Sequence, residues 1–263
     1  MRMVRANGIE VHIALEGPEG GMPVVFANSL GTDLRVWDAV VPLLPKGLRM
    51  LRYDKRGHGL TGATREPYTI DLHVADLTGV LDALGIRGAV VVGLSIGGLI
   101  AQGLAAARPD LVRALVLMDT AHRIGTAETW NQRIEAIRAG GLDSIGDAVM
   151  ERWFSAGYRA AYPEEVAGWR NMLVRTTVDG YLGSCAAIRD ADLEREARSI
   201  MVPTLLLCGS ADLSTPPDLV RGTAEIIPGA RFEVIDGAGH LPCVEAPERT
   251  ADLISGFVGA LLQ

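Results

Sequence analysis

Short apolar runs alternate along the chain with segments whose apolar residues recur every three or four positions. The runs are PVVFAN (23–28), RMLRYD (49–54), AVVVG (89–93), RALVLMD (113–119), VPTLLLCG (202–209) and ARFEVID (230–236). They lack strict apolar–polar alternation, as strands do when both faces are buried. Helical periodicity falls between them, at 71–84, 97–107, 216–226 and 247–262. Alternation of this kind predicts an α/β fold, a mostly parallel sheet with helices on both faces. The opening VRANGIEVHIALEG predicts a hairpin leading into the sheet, with Asn7-Gly8 as its turn.

Residues 121–195 break this rhythm. They carry no convincing strand, and they hold three of the four tryptophans (Trp130, Trp153 and Trp169) together with many arginines. Their periodicity predicts a helical lid inserted into an α/β core made of residues 1–120 and 196–263.

Composition narrows the class. The chain has 263 residues, 48% hydrophobic and 22% charged, which suits one α/β domain with an insertion. Mean hydropathy is +0.21, yet no apolar run reaches the roughly 18 residues of a membrane span. The first residues lack the apolar core of a secretory signal. Cys185, Cys208 and Cys243 are too few and too scattered for a disulfide framework or a zinc site. A reducing cytoplasm is the expected compartment, and neither metal nor cofactor is expected. The net charge of −7 argues against a nucleic-acid partner, and any anionic substrate would need a local positive group.

One stretch points to chemistry. In VVVGLSIGGLIAQGLA (90–105), an apolar run ends at Gly93-Leu94-Ser95-Ile96-Gly97 and a helical pattern follows. G-x-S-x-G is a weak signal by itself in a chain with 31 glycines. Between a strand and a helix it is stronger. There the serine must take a strained conformation, and side chains two residues away on either side would collide unless they are glycine. Such a turn holds Ser95 above the carboxyl edge of the sheet, at a helix N-terminus that favours negative charge.

A serine nucleophile needs a base, and the base needs an acid to orient it. His240, in DGAGHLPCVEAPE, follows a late strand on the same sheet edge as Ser95. His58, in RYDKRGHG, suits a structural loop role. His12 lies in the hairpin, and His73 and His122 lack a matching context. Asp212, in GSADLSTPP, is the candidate acid, with Asp119 at the end of LVLMD as its rival. The order Ser95, Asp212, His240 is the one found in α/β-hydrolases. An acyl oxyanion needs two donors. These fall to the backbone N–H of Ile96 and, by its place in Asn28-Ser29-Leu30-Gly31, that of Leu30.

These residues resemble the α/β-hydrolases over the whole chain: the hairpin, RYDKRGHG, GLSIGG, GSADLSTP and GAGH occur in order. Within that superfamily the sequence is most similar to 3-oxoadipate enol-lactonases. The supporting stretches are NSLGTDLRVWD (28–38), LRYDKRGHG (51–59), TAHRIGTAETWNQRIEAIRAGGL (120–142), RWFSAGY (152–158) and SCAAIRDADL (184–193). The last three lie in the insertion, where members of the superfamily diverge most. Asn28-Ser29 stands where His-Gly is usual, and the enol-lactonases share that departure.

The resemblance implies hydrolysis of an anionic enol-lactone to 3-oxoadipate in bacterial aromatic-acid breakdown, without metal or cofactor. Something in the lid must then hold the substrate carboxylate. Trp130 and Arg133, in TWNQRIEAI, share one helical face and are the candidates, whereas Arg138 lies on a different face. The bland alternative has Trp130 packed in the lid core and Arg133 in a surface ion pair. Two rival activities stay open: a carboxylesterase or a cofactor-free perhydrolase of the same fold. A non-catalytic small-ligand receptor is a third reading, against which an intact triad argues.

Overall fold

Eight strands form one sheet in the computed structural model, which describes residues 1–262. They are β1 (Arg2–Ala6), β2 (Ile9–Glu16), β3 (Met22–Ala27), β4 (Leu48–Tyr53), β5 (Ala89–Leu94), β6 (Val112–Met118), β7 (Thr204–Gly209) and β8 (Arg231–Ile235). Their order across the sheet is β1-β2-β4-β3-β5-β6-β7-β8. β2 runs antiparallel to both neighbours, and every other adjacent pair is parallel. The predicted hairpin is β1–β2, and its turn residues Asn7 and Gly8 both take positive φ, at 45° and 81°.

The long helices of the core are α1 (Ile70–Ala83), α2 (Ile96–Ala107), and, after the insertion, α9 (Pro217–Ile226) and α11 (Pro247–Ala260), preceded by the single turn α10 (Pro242–Glu245). Thr69 caps α1 by accepting from the Leu72 N–H. Every residue of β5 and of β7 is buried, so both faces of the central sheet are covered. This burial is why those runs lack alternation in the sequence.

Between β6 and β7 lie six helices: α3 (Ala127–Gly140), α4 (Gly146–Trp153), α5 (Ala156–Ala161), α6 (Pro163–Val174), α7 (Val178–Arg189) and α8 (Glu194–Ser199). No strand interrupts them. α8 runs through position 195, where periodicity placed the end of the insertion, and stops at Ser199. The insertion is fastened to the core at Gly57. The Gly57 carbonyl accepts from Thr177 Oγ1 at 2.8 Å, and a Cβ at Gly57 would lie 2.3 Å from the Gly180 Cα. Among the described residues, no helix is long and apolar enough to cross a membrane.

The α2 helix sits unusually close to the sheet. A Cβ at Gly97 would lie 2.1 Å from the Ala27 carbonyl oxygen, and one at Gly98 would lie 2.3 Å from Thr120 Cγ2. Only glycine permits this approach. Gly97→Ala should therefore destabilise the protein by about 1–3 kcal/mol, as overpacked sites do. Gly222→Ala in α9 meets no atom within 4 Å. It should be neutral or stabilise by up to about 1 kcal/mol through helix propensity. Urea denaturation of the two variants checks the contrast, and equal effects would show that the close approach carries no constraint.

Candidate active site

The turn from β5 to α2 carries Ser95 at φ 58° and ψ −119°. That conformation costs a non-glycine residue about 1–3 kcal/mol. Neighbouring bonds impose it. The Ser95 N–H donates to the Met118 carbonyl at 2.9 Å, and its own carbonyl accepts from Thr120 Oγ1 at 2.7 Å and from the Gly98 N–H at 2.8 Å. A Cβ at Gly93 would strike the Gly97 carbonyl at 2.3 Å and one at Gly97 the Ala27 carbonyl at 2.1 Å, so both positions require glycine, but because of these neighbours rather than of the serine itself.

Asp212 and His240 come from the loops after β7 and β8. His240 Nδ1 and Asp212 Oδ2 are 2.8 Å apart, and both side chains are buried. Asp212 also accepts from the Ser214 N–H at 2.7 Å, the Thr215 N–H at 3.1 Å and Thr215 Oγ1 at 2.6 Å. The His240 loop is held by the insertion: the N–H groups of His240 and Leu241 donate to the Trp153 carbonyl at 2.9 and 3.2 Å. Glu245 completes the clamp, accepting from the Gly239 N–H at 2.9 Å and from Ser155 Oγ at 2.6 Å. A Cβ at Gly209 would lie 2.1 Å from the Gly239 carbonyl, so β7 runs directly against this loop.

The rival acid behaves differently. Asp119 sits at φ 46° after β6, is fully buried, and bonds through Oδ1 to the Gly209 N–H at 2.9 Å. It makes no hydrogen bond to His240, and its Oδ2 has no partner. Burial, then the charge of Asp212, pushes its pKa well above the ordinary carboxylate value. Burial would also raise Asp212, but the charge and hydrogen bond of His240, with the Thr215 and Ser214 donors, outweigh it and lower its pKa. The two carboxyls are thus pushed in opposite directions, Asp212 down and Asp119 up.

The other histidines lie elsewhere. His58 is buried with Nδ1 3.0 Å from the Arg56 carbonyl, and burial drives its pKa well down. His12 pairs with Asp54, His73 lies against Ser184, and His122 bonds Thr223.

Ser95 and His240 share the wall of one cavity of about 470 Å³, although no hydrogen bond joins them in this structure. Such contacts often tighten only when substrate binds. Leu30, Trp130 and Arg133 line the same cavity. The N–H of Leu30 finds no acceptor among the described residues. That of Ile96 opens α2, where no intrahelical acceptor exists. Asn28 is spoken for structurally: its amide donates to the Tyr53 carbonyl at 3.0 Å and accepts from Trp37 Nε1 at 3.2 Å.

Arg133 is half-buried, with its guanidinium 5.0 Å from the centre of the Trp130 ring. Trp130 Nε1 is fixed to the Ile124 carbonyl at 2.7 Å. Arg138 on the same helix pairs with Glu66 at 2.6 Å, whereas Arg133 enters no ion pair among the described residues. The surface ion pair of the bland alternative is therefore absent. Sequence reasoning missed Arg152 and Tyr181, which also line the cavity. They lie on α4 and α7, and only the packing of those helices brings them to the wall.

A fold of this topology, with a serine strained at the strand–helix turn and a His–Asp pair on the same edge, defines an α/β-hydrolase. The profile of the Alpha/beta hydrolase family matches residues 24–253, and the chain belongs to that family. It is 34% identical to 3-oxoadipate enol-lactonase 1 of Acinetobacter baylyi over 255 residues, which cover 97% of this chain and 95% of that one. The crystal structure of the enol-lactonase from Burkholderia xenovorans LB400 is 38% identical and superposes with a TM-score of 0.95, covering 98% of this chain and all of the other. A thermophilic esterase from Thermogutta terrifontis is 27% identical with a TM-score of 0.93, covering 99% of each chain.

The paired carboxylates generate a stability prediction. A carboxyl whose folded pKa is raised binds more protons folded than unfolded, so it destabilises the protein as pH rises above its unfolded value of about 3.9. Asp119→Asn keeps an acceptor for the Gly209 N–H and removes that dependence. Its urea midpoint should exceed that of the wild type at pH 7–8, with the gap narrowing toward pH 4. A wild-type midpoint above the variant's at pH 8 would mean that Asp119 is ionised.

Proposed function

We propose that the protein is a carboxylic-ester hydrolase that opens 3-oxoadipate enol-lactone to 3-oxoadipate, in the cytoplasmic breakdown of aromatic acids. The observation that carries this reading is the composition of one cavity wall. Ser95, His240 and Leu30 stand there with Arg133, a cation without an ion-pair partner, stacked on Trp130. An ester carbonyl at the serine and a carboxylate at the arginine would both be satisfied. The similarity to enol-lactonases over nearly the full length supports the same substrate.

In this mechanism Ser95 Oγ attacks the lactone carbonyl carbon while His240 takes its proton. Asp212 accepts the Nδ1–H of His240 and stabilises the imidazolium that forms. The carbonyl oxygen becomes an oxyanion facing the N–H groups of Leu30 and Ile96. Collapse of this intermediate breaks the ring C–O bond. The enolate leaves, takes the proton held by His240 and becomes the ketone, the acyl group stays on Ser95, and His240 is again neutral. Water, deprotonated by His240, attacks the acyl carbonyl and releases the new carboxylate. The helices of 121–195 act as a lid that closes the cavity and sets specificity. Likeness to an esterase keeps simple carboxylic esters as a second substrate class.

Loss of the enol-lactone followed spectrophotometrically with purified protein tests the substrate directly. Ser95→Ala should lower kcat by about 10⁴-fold or more with the fold intact. Asp212→Asn should cost several orders of magnitude, and Asp119→Asn far less. Near-normal turnover by folded Ser95→Ala would sink the mechanism, and a reversed order of the two aspartates would reassign the acid.

Arg133→Ala should reduce kcat/KM for the anionic lactone by about 2–3 kcal/mol, as expected for loss of a hydrogen-bonded charge partner. Hydrolysis of p-nitrophenyl acetate, which has no carboxylate, should barely change. Equal losses on both substrates would mean that Arg133 serves packing instead.

A further inference from the structure

We infer that Lys55 is a positioning residue: it grips the carbonyl of the peptide unit whose N–H, at Leu30, faces the oxyanion. The inference rests on the reading of Ser95 and Leu30 proposed above.

Lys55 follows Asp54 in RYDKRGHG, two positions beyond β4, and its side chain is among the most deeply buried in the protein. A lysine is rarely placed there without a partner. Its ammonium donates to the Ser29 carbonyl and, at 3.3 Å, to the Thr32 carbonyl. Both lie in the loop after β3. The Ser29 oxygen also accepts from Thr32 Oγ1 at 3.0 Å and from the Thr32 N–H at 3.3 Å. Three donors, one of them cationic, converge on a single oxygen.

The Ser29 C=O and the Leu30 N–H belong to one planar trans peptide and point in opposite directions. Fixing the carbonyl therefore aims the N–H. Drawing electron density onto the oxygen also makes that N–H a stronger donor, because chained hydrogen bonds polarise one another. Thr32 alone closes the turn, and methionine would fill the lysine's space without burying a charge. What lysine adds is positive charge one peptide behind the oxyanion.

The surroundings leave this charge available to the loop. Asp54 and Asp33 favour the ammonium through space, but burial dominates and brings its pKa down to about 7. Asp54 is engaged with His12, and Asp33 with Arg35. Arg56 is paired with Asp76. His58 and, from α1, His73 are held neutral, chiefly by burial. Lys55 is thus charged below about pH 7 and neutral above it. Its contribution to kcat is present in the charged form and is lost as pH rises.

The test compares wild type, Lys55→Met and Lys55→Arg on p-nitrophenyl acetate from pH 5.5 to 9, with folding checked by circular dichroism and with phenylboronic acid as a mimic of the tetrahedral intermediate. Wild-type kcat should decline through pH 7. In Lys55→Met, kcat at pH 6 should fall about 10-fold with KM unchanged, less than the 10²–10³-fold expected for loss of a direct oxyanion donor. The alkaline decline should vanish, and phenylboronic acid should bind more weakly by the same factor. Should Lys55→Met not fold, Lys55→Arg carries the test, since a guanidinium does not titrate in this range. Its decline near pH 7 should disappear. Wild-type kcat in Lys55→Met, or a decline at pH 7 that persists in either variant, would overturn the inference. Ser95→Ala separates the two levels: an active Ser95→Ala overturns the mechanism itself, whereas an inactive one beside an unaltered Lys55→Met overturns only the role of Lys55.

Discussion

The site depends on how closely α2 approaches the sheet. Gly97 lies against the Ala27 carbonyl with no room for a Cβ, and Gly98 lies against Thr120 in the same way. This approach forces the chain leaving β5 to turn within one residue, and that residue is Ser95 at positive φ. The strain is local, and the hydrogen bonds of Ser95 to Met118 and Thr120 hold it in place.

The helical insertion is more than a cover. It supplies the Trp153 carbonyl that accepts from both His240 and Leu241, and Ser155, which bonds the Glu245 carboxylate that also holds Gly239. The His240 loop is thus held by the insertion and packed against β7. At a second point, Thr177 and Gly180 lock α7 onto the RGHG loop, whose lysine reaches the loop after β3. The insertion therefore contacts both the His240 loop and the loop that reaches Ser29.

Charge is sorted at short range. Two buried carboxylates sit behind His240, and a shared negative charge at that depth would be costly. The structure separates them: donors converge on Asp212, while Asp119 has one donor, and burial with the charge of Asp212 raises its pKa. Arg133 and Arg152 also line this cavity, in a protein whose net charge is −7. Net charge therefore says little about the field a substrate meets. The placement of a few side chains decides it.

Much of this was legible in the amino-acid sequence. Buried strands read as unbroken apolar runs, so the order of strands and helices and the all-helical stretch between β6 and β7 follow from local pattern. The G-x-S-x-G turn was readable from its place between a strand and a helix; Gly93 answers a local demand, against Gly97, whereas the Ala27 carbonyl that requires Gly97 comes from β3 and was not visible in the sequence. The positions of Asp212 and His240 after late strands were readable because a parallel sheet brings all such loops to one edge. The choice between Asp212 and Asp119 was different. Both end strands at that edge, and only the tertiary structure put one carboxylate against His240 and left the other buried without it. Arg152 and Tyr181 were invisible for a related reason, since helix periodicity fixes which residues share a face but not what that face meets. Lys55 is the sharpest case. In sequence it is one cation among 25, and only the folded chain buries it against the carbonyls of Ser29 and Thr32, where the cost of desolvating an ammonium becomes a means of aiming a peptide.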